Sequence, residues 1–261
     1  MTTIHSTAKR LLAASKDVLL GMNLGSLGLV TRPRLLRHYM NDIHFLRRTV
    51  ISSKVHSRAV SEVLAYGGDI HLRSFPNGDN WLNWGPSFTQ DIANLCVLCR
   101  ALNPKQIFEI GTFHGYTTVQ LAINSSHDAV IHTLDLGPNA DTSLPITEID
   151  RMVIDLRETS SCLNAHNAAT KIRRLFGDSA EFDFSPYHQK IDLFFIDGSH
   201  SYQYVKSDTT NALRCCHSGS AIAWHDYGRE QFGVTSFLEE LAEQMDIYVV
   251  PGGSLAFTIL Q

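Results

Sequence analysis

The second half of the sequence alternates between short apolar runs and helical segments, and this pattern limits the fold more than any other feature. The runs lack polar alternation, which is typical of strands buried on both faces of a parallel sheet. We therefore predict an α/β fold with a mostly parallel sheet and helices on both faces. The predicted strands are 106–110, 129–134, 172–176, 191–196 and 220–224, and the predicted helices are 88–102, 116–124, 202–215 and 234–244.

The C-terminus departs from this alternation. Two further strands are predicted at 247–250 and 255–260, and only Pro251, Gly252, Gly253 and Ser254 separate them. So short a connection joins antiparallel strands. We therefore expect a hairpin and an antiparallel strand at one edge of the sheet.

The length of 261 residues and the hydrophobic content of 44% describe a globular chain with a sizeable core. We predict an N-terminal helical extension over residues 1–86, serving as a lid or an oligomer contact, and a main domain over 87–261. Residues 1–60 carry ten Lys and Arg against two Asp, which leaves a charge of −12 for the rest. This basic segment could contact an acidic partner, a phosphorylated substrate or a membrane surface, or it could form solvated helix faces.

The five cysteines do not form a disulfide framework, which favours a reducing, cytoplasmic setting. Cys96 and Cys99 could be half of a zinc site, but no second pair follows, so we expect core packing. The longest apolar stretch, 18–30, is shorter than the roughly 20 residues that span a bilayer. We predict no transmembrane segment, while a peripheral membrane contact stays open.

Acidic residues recur where the predicted strands end. In open parallel sheets, ligands bind outside the carboxyl ends of the strands. These positions therefore predict a ligand site at one edge of the sheet. The residues are Glu109, Asp135, Asp178, Asp197 and the pair His225 and Asp226.

The first of these endings, EIGTFHGYTT, places Gly111 and Gly115 between a strand and a helix, where the backbone can approach a ligand closely. The GxGxxG pattern for a dinucleotide pyrophosphate is absent. Glu109 would repel a phosphate, but it suits the cationic sulfonium of S-adenosylmethionine (SAM). Asp135 could accept hydrogen bonds from both ribose hydroxyls, or it could form a cap or turn.

Five segments taken together carry a family resemblance. They are FEIGTFHGYTTVQLA, LDL at Asp135, GDSAEF at Asp178, FFIDGSHSYQYVKSD at Asp197 and GSAIAWHDYG at Asp226. Their order and spacing resemble the class I SAM-dependent methyltransferases. Within that class they are most similar to small-molecule O-methyltransferases related to the catechol and macrocin-type sugar enzymes. The likeness covers roughly residues 88–261.

The resemblance implies a Rossmann-like sheet of seven strands with the last strand antiparallel. It also implies SAM as the cofactor. In that role Asp135 would hold the ribose, and Asp178 with Ser179 would border the adenine. The full set of cofactor-binding residues would be Glu109, Gly111, Thr112, Gly115, Tyr116, Asp135, Asp178, Ser179 and Asp197.

The fourth and fifth strand endings bear on catalysis. In related metal-dependent enzymes these endings hold Mg²⁺, which lowers the pKa of the acceptor hydroxyl. Asp197 and Asp226 stand at matching positions, but His225 replaces a usual acidic residue. Imidazole weakens the case for Mg²⁺ and leaves room for another divalent metal or none. His200 could take the acceptor's proton, or it could be a structural histidine.

The sequence therefore predicts an enzyme that methylates a hydroxyl of a small molecule such as a sugar, a polyketide-like compound or a phenol, with His200 and Asp197 as catalytic residues. The alternative is a non-catalytic SAM-binding module that acts as a sensor or partner subunit. A nucleic-acid substrate is not expected, because DGSH at 197–200 replaces the [DNS]PP[YFW] tetrad of enzymes acting on bases. A homo-oligomer is left open.

Overall fold

The structure is a computed structural model that describes residues 54–73, 86–137, 140–156, 161–164, 170–229 and 231–261. The apolar stretch 18–30 and nearly all of the basic segment lie outside these residues. Among the described helices, none is long and apolar enough to cross a membrane.

The described part of the chain alternates strands and helices, as the sequence predicts. The strands are β1 (His56–Ser57), β2 (Gln106–Ile110), β3 (Val130–Asp135), β4 (Ile172–Phe176), β5 (Ile191–Ile196), β6 (Cys216–Trp224), β7 (Tyr248–Val249) and β8 (Ala256–Ile259). The helices are α1 (Val60–Val63), α2 (Pro86–Leu102), α3 (Tyr116–Asn124), α4 (Glu148–Leu156), α5 (Ser161–Asn164), α6 (Tyr202–Cys215) and α7 (Gly233–Leu241).

Within the described residues the strands form one sheet in the order β1-β7-β8-β6-β5-β2-β3-β4. Every neighbouring pair is parallel except the two pairs that include β8. Alternate side chains of β5 enter different hydrophobic clusters, Phe194 on one face and Phe195 on the other. Both faces of the sheet are therefore covered, which confirms the predicted α/β class.

The C-terminal hairpin is confirmed, because β7 and β8 are antiparallel with Tyr248 opposite Phe257. The expectation of an antiparallel strand at the edge is wrong, since β8 lies between β6 and β7. His56–Ser57 pairs with β7 as an eighth strand, beyond the seven that the resemblance implies. Two exposed polar residues carry no strand pattern, so the sequence did not reveal this pairing.

All five cysteines are free thiols in the buried core. Burial raises the pKa of Cys99 to about 12, and it raises the pKa of Cys96 further. Cys96 and Cys99 belong to apolar clusters on the inner side of α2. This environment favours core packing over zinc binding, as expected from the sequence.

Candidate active site

The carboxyl ends of four neighbouring parallel strands meet at one edge of the sheet. Ile110 at the end of β2 lies opposite Leu134 of β3 and Ile196 of β5, and Ile196 lies opposite Trp224 of β6. The residues that follow these positions are therefore neighbours in space. The predicted site residues Gly111, Asp135, Asp197 and His225 are these next residues.

The glycine loop after β2 runs against the end of β5. Gly111 has a φ of 98°, and a Cβ atom built on it would lie 2.0 Å from the Asp197 carbonyl oxygen. Gly115 has a φ of 79°, and its Cβ would lie 2.4 Å from Cγ of Leu163. Both positions require glycine, because an L side chain would be strained and would collide with a neighbour.

Two other predicted cofactor residues belong to this loop or follow it directly. The Oγ1 atoms of Thr112 and Thr133 are 2.6 Å apart, so Thr112 ties the loop to β3. Tyr116, the first residue of α3, is buried in a cluster with Ile92 and Cys96. The structure therefore places the Tyr116 ring among core side chains.

Glu109 lies fully buried beneath the loop. Its Oε2 accepts hydrogen bonds from Thr118 at 2.5 Å and Thr133 at 2.6 Å, while Oε1 has no hydrogen-bond partner among the described residues. Burial raises the pKa of Glu109 to about 8 against these bonds, which lower it. This position fits support of the loop from below.

The raised pKa of Glu109 predicts a pH-dependent stability. The folded state binds the proton more tightly than the unfolded state, so the free energy of unfolding should fall as pH rises from about 4.5 to about 8. One proton gives a slope of about 1.4 kcal/mol per pH unit. Glu109→Gln, which imitates the protonated acid, should flatten this slope in urea unfolding between pH 5 and 8. An unchanged slope, equal to that of the exposed control Glu181→Gln, would refute the prediction.

Asp135 ends β3 beside the glycine loop. Its Oδ2 accepts from the backbone N–H of Phe113 at 3.1 Å, and its Oδ1 accepts from the N–H of Leu136 at 2.9 Å. Phe113 is held at a φ of 46°, in the left-handed region that non-glycine residues seldom adopt. The carboxylate thus organises the same loop that it faces.

Asp178 organises the chain that follows β4. Its Oδ1 accepts from the hydroxyl of Tyr204 at 2.8 Å and from the N–H of Ala180 at 3.0 Å, and its Oδ2 accepts from the N–H of Ser143 at 2.6 Å. Burial alone would raise the pKa of Asp178, but these bonds together outweigh it and lower the pKa. The neighbouring Ser179 is buried.

The three predicted metal ligands lie together. One ligand atom from each of Asp197, His225 and Asp226 lies within 4.8 Å of the others. Nδ1 of His225 is 3.4 Å from Oδ1 of Asp197 and 3.4 Å from Oδ1 of Asp226. The structure therefore brings one nitrogen and two oxygen donors to a common point.

His225 is buried between three carboxylates. Its Nε2 faces Oδ2 of Asp91 on α2 at 3.3 Å, on the side of the ring away from Asp197 and Asp226. Burial alone would lower the pKa of His225, but the charges of Asp226 and Asp197 outweigh it and raise the pKa well above its usual value. Burial alone would raise the pKa of Asp226, but the charges of His225 and Arg229 outweigh it and hold the pKa well below its usual value.

His200 is held between two carboxylates. Its Nδ1 lies 2.5 Å from Oδ1 of Asp150, its Nε2 lies 2.9 Å from Oδ2 of Asp226, and its ring stacks on Phe232 at 4.2 Å. Burial would lower the pKa of His200, but the hydrogen bonds to Asp150 and Asp226 raise it to about 10. A cavity of about 10 Å³, lined by Asp197, His200 and other residues, adjoins these side chains. This volume is about the minimum that holds one water molecule.

The comparisons with known proteins address the part of the chain that holds this site. Residues 108–227 match the family described as a methyltransferase domain. The match confirms the predicted resemblance to SAM-dependent methyltransferases and the prediction of an enzyme. No curated protein sequence gives a significant match.

The solved structures similar to this chain are distant from it in sequence. The O-methyltransferase TomG from Streptomyces achromogenes, involved in tomaymycin synthesis and solved with SAM, is 19% identical, with 69% of this chain and 83% of TomG covered at a TM-score of 0.48. An O-methyltransferase from Bacillus cereus in complex with SAH is also 19% identical, with coverages of 67% and 81% and a TM-score of 0.47. The SAH-bound methyltransferase PaMTH1 from Podospora anserina is 13% identical, with coverages of 75% and 100% and a TM-score of 0.49.

Two buried carboxylates of the candidate site were not predicted from the sequence. Asp150 exchanges hydrogen bonds with Thr147 in a reciprocal cap at the start of α4, and the same carboxylate holds His200. The TxxD spacing could have located this helix start, but it carries no sign of the histidine contact. Asp91 lies within the apolar pattern of α2. An acidic residue at such a position was the signal in the sequence that could have indicated a buried carboxylate.

Proposed function

We propose that this methyltransferase transfers the methyl group of SAM to a hydroxyl of a small molecule, with assistance from a divalent metal. The observation that carries the proposal is the contact of Gly111 with the carbonyl of Asp197. This contact joins the glycine loop to the end of β5, which carries Asp197, one of the three candidate metal ligands. A cofactor bound on the loop would therefore present its methyl group beside side chains able to bind a metal and a proton.

The cofactor half of the proposal rests on the loop and on Asp135. Left-handed backbone at Gly111 and Gly115 leaves room for a ligand to approach the main chain. A carboxylate has about four lone-pair sites, so Asp135 can accept from ribose hydroxyls in addition to its backbone bonds. We propose that Asp178 and Ser179 border the adenine, because they follow the neighbouring strand β4.

The donor set of Asp197, His225 and Asp226 fits a divalent metal. The ligand atoms lie within 4.8 Å of one another, so small side-chain adjustments would place all three on one ion. When bound, such an ion would lower the pKa of a hydroxyl that coordinates it. Asp197, His225 and Asp226 would supply the ligands of the ion and place it next to the glycine loop.

His200 is the proposed proton acceptor. Asp150 binds Nδ1 of His200, which orients Nε2 toward Asp226, one of the candidate metal ligands. A histidine with its pKa raised to about 10 keeps its proton while both carboxylates hold it. A cation bound to Asp226 would weaken the interaction of this carboxylate with the His200 proton. Asp226 therefore links the candidate metal ligands to the proposed base.

The alternative is a SAM-binding module without catalysis. Such a module would need only the cofactor half of the site. Burial of Asp91, His225 and Asp226 together costs desolvation energy, and their grouping beside the loop favours chemistry over sensing. We further propose a sugar, polyketide-like or phenolic acceptor, no nucleic-acid partner and a cytoplasmic setting, with peripheral membrane contact or homo-oligomer formation assigned to the N-terminal segment.

Calorimetric titration with SAM and turnover assays test the proposed function. Wild-type protein should bind SAM, and Asp135→Ala should weaken binding about 10-fold or more, because each hydrogen bond to a charged group contributes about 1.5–3 kcal/mol. The control Asp128→Ala changes an exposed carboxylate at the opposite end of the same strand and should leave the affinity unchanged. Release of S-adenosylhomocysteine with catechols or glycosides as acceptors should occur and should fall with EDTA.

Each outcome bears on a different part of this proposal. Absence of SAM binding to wild-type protein would contradict the function altogether. Equal SAM affinity in the wild type and Asp135→Ala would remove Asp135 from the site. SAM binding without turnover on any acceptor would favour the non-catalytic module, and turnover that resists EDTA would remove the metal.

A further inference from the structure

Asp91 is a buried carboxylate that lies outside every motif of the methyltransferase family resemblance. Its relative exposure is 1%, and its Oδ2 lies 3.3 Å from Nε2 of His225. It also accepts hydrogen bonds from the N–H of Ser254 at 2.8 and 2.9 Å, from the Ser254 hydroxyl at 2.8 Å and from the N–H of Leu255 at 3.0 Å. The turn between β7 and β8 thus holds this carboxylate in place.

The fit between this turn and α2 is close. A Cβ atom on Gly253 would lie 2.0 Å from Oδ1 of Asp91, so the turn can reach the carboxylate only with glycine at that position. One helical turn before Asp91, the ring of Phe88 meets the His225 ring edge-on at 5.8 Å. Asp91 and Phe88 together fix the ring, which leaves Nδ1 facing Asp197 and Asp226.

We propose that Asp91 is a positioning residue that presents His225 Nδ1 as a nitrogen ligand, and that the site therefore selects a first-row transition divalent cation over Mg²⁺. This inference rests on the metal site of the proposed function. A carboxylate that accepts the second N–H of a metal-bound imidazole fixes its tautomer and raises its basicity. Imidazole suits zinc, copper, iron and nickel among the first-row metals, whereas Mg²⁺ prefers oxygen ligands in an octahedral shell.

Mn²⁺ is the probe for the test, because its binding and its ligands are both visible by electron paramagnetic resonance. Metal-stripped full-length protein should bind Mn²⁺, and a tenfold excess of Mg²⁺ should not displace it. Asp91→Asn should weaken Mn²⁺ binding about 10- to 100-fold. Electron spin echo envelope modulation spectra of Mn²⁺ bound to the wild-type protein should show coupling to one imidazole nitrogen.

The chain offers a matched control in Asp192. Its Oδ2 accepts backbone bonds from Lys105 at 2.7 Å and Gln106 at 2.8 Å, and its Oδ1 lies 3.0 Å from Nε2 of His217. Asp192→Asn therefore removes a similar carboxylate from a similar histidine at the opposite end of the sheet. We expect unchanged Mn²⁺ affinity in this variant.

The outcomes separate this inference from the proposed function. SAM binding without Mn²⁺ binding would overturn the inference and leave the cofactor site intact, whereas loss of both would contradict the whole proposal. Equal Mn²⁺ affinity in the wild type and in an Asp91→Asn variant that unfolds at the same temperature as the wild type would overturn the role of Asp91. Where Asp91→Asn does not fold, the wild-type spectrum decides, since absence of nitrogen coupling or facile displacement by Mg²⁺ overturns the proposal.

Discussion

A His200→Gln variant is expected to lose about 10²- to 10⁴-fold in kcat, the range that one positioned acid or base contributes. Glutamine keeps a polar group between Asp150 and Asp226, but its amide cannot take up the proton of the acceptor hydroxyl. His200 contacts neither the glycine loop nor Asp135 through the hydrogen bonds described above. The affinity for SAM should therefore stay within about twofold of the wild type, and the loss should lie in turnover.

The control for this prediction is His217→Gln. His217 also pairs with a carboxylate, Asp192, at 3.0 Å, but it lies at the start of β6, away from the strand ends that form the site. The rate of S-adenosylhomocysteine release in saturating SAM is the measurement, with thermal unfolding to confirm that both variants fold. A His200→Gln enzyme that turns over as fast as His217→Gln would assign His200 a structural role.

Gly111→Ala is expected to destabilise the protein by about 2–5 kcal/mol. The left-handed backbone at a φ of 98° costs an L residue about 1–2 kcal/mol. The remainder, about 1–3 kcal/mol, comes from overpacking, because the new Cβ would lie 2.0 Å from the Asp197 carbonyl oxygen. A backbone oxygen cannot move aside as a flexible side chain can, so the loop or the end of β5 must shift and SAM binding should be lost.

Gly219→Ala separates strain from collision. Gly219 has a φ of 85°, but a Cβ there would meet nothing within 4 Å. Urea unfolding should therefore show a loss of about 1–2 kcal/mol for Gly219→Ala, and a clearly larger loss for Gly111→Ala. Equal losses in the two variants would mean that the glycine loop does not press against the end of β5.

The sequence predicted the strand ends because their signals are local. Continuous apolar runs identify buried strands, and parallel pairing places their carboxyl ends at one edge. Asp135, Asp197, His225 and Asp226 were therefore predicted as neighbours, and the structure brings Asp197, His225 and Asp226 within reach of one ion. Their roles toward SAM and a metal remain predictions.

The contacts of Asp91 and Asp150 could not be predicted in this way. Asp91 belongs to a helix that precedes the first of the predicted strands, and it meets both His225 and the β7–β8 turn, which lie far away in the sequence. Asp150 carries the signal of a helix cap, and that signal is correct but incomplete. Side chains whose partners lie on distant elements leave no local periodicity in the sequence.

By itself, then, the sequence determined the α/β class, the order of its strands and helices, and which residues stand at the strand ends. These follow from hydrophobic periodicity and turn chemistry, which act over a few residues. Tertiary structure alone decided that β8 lies inside the sheet, that His56–Ser57 adds an eighth strand, and that Asp91 and Asp150 hold the two histidines. Those features depend on how whole elements pack against one another. The buried aspartates are placed by the partners that offset their desolvation.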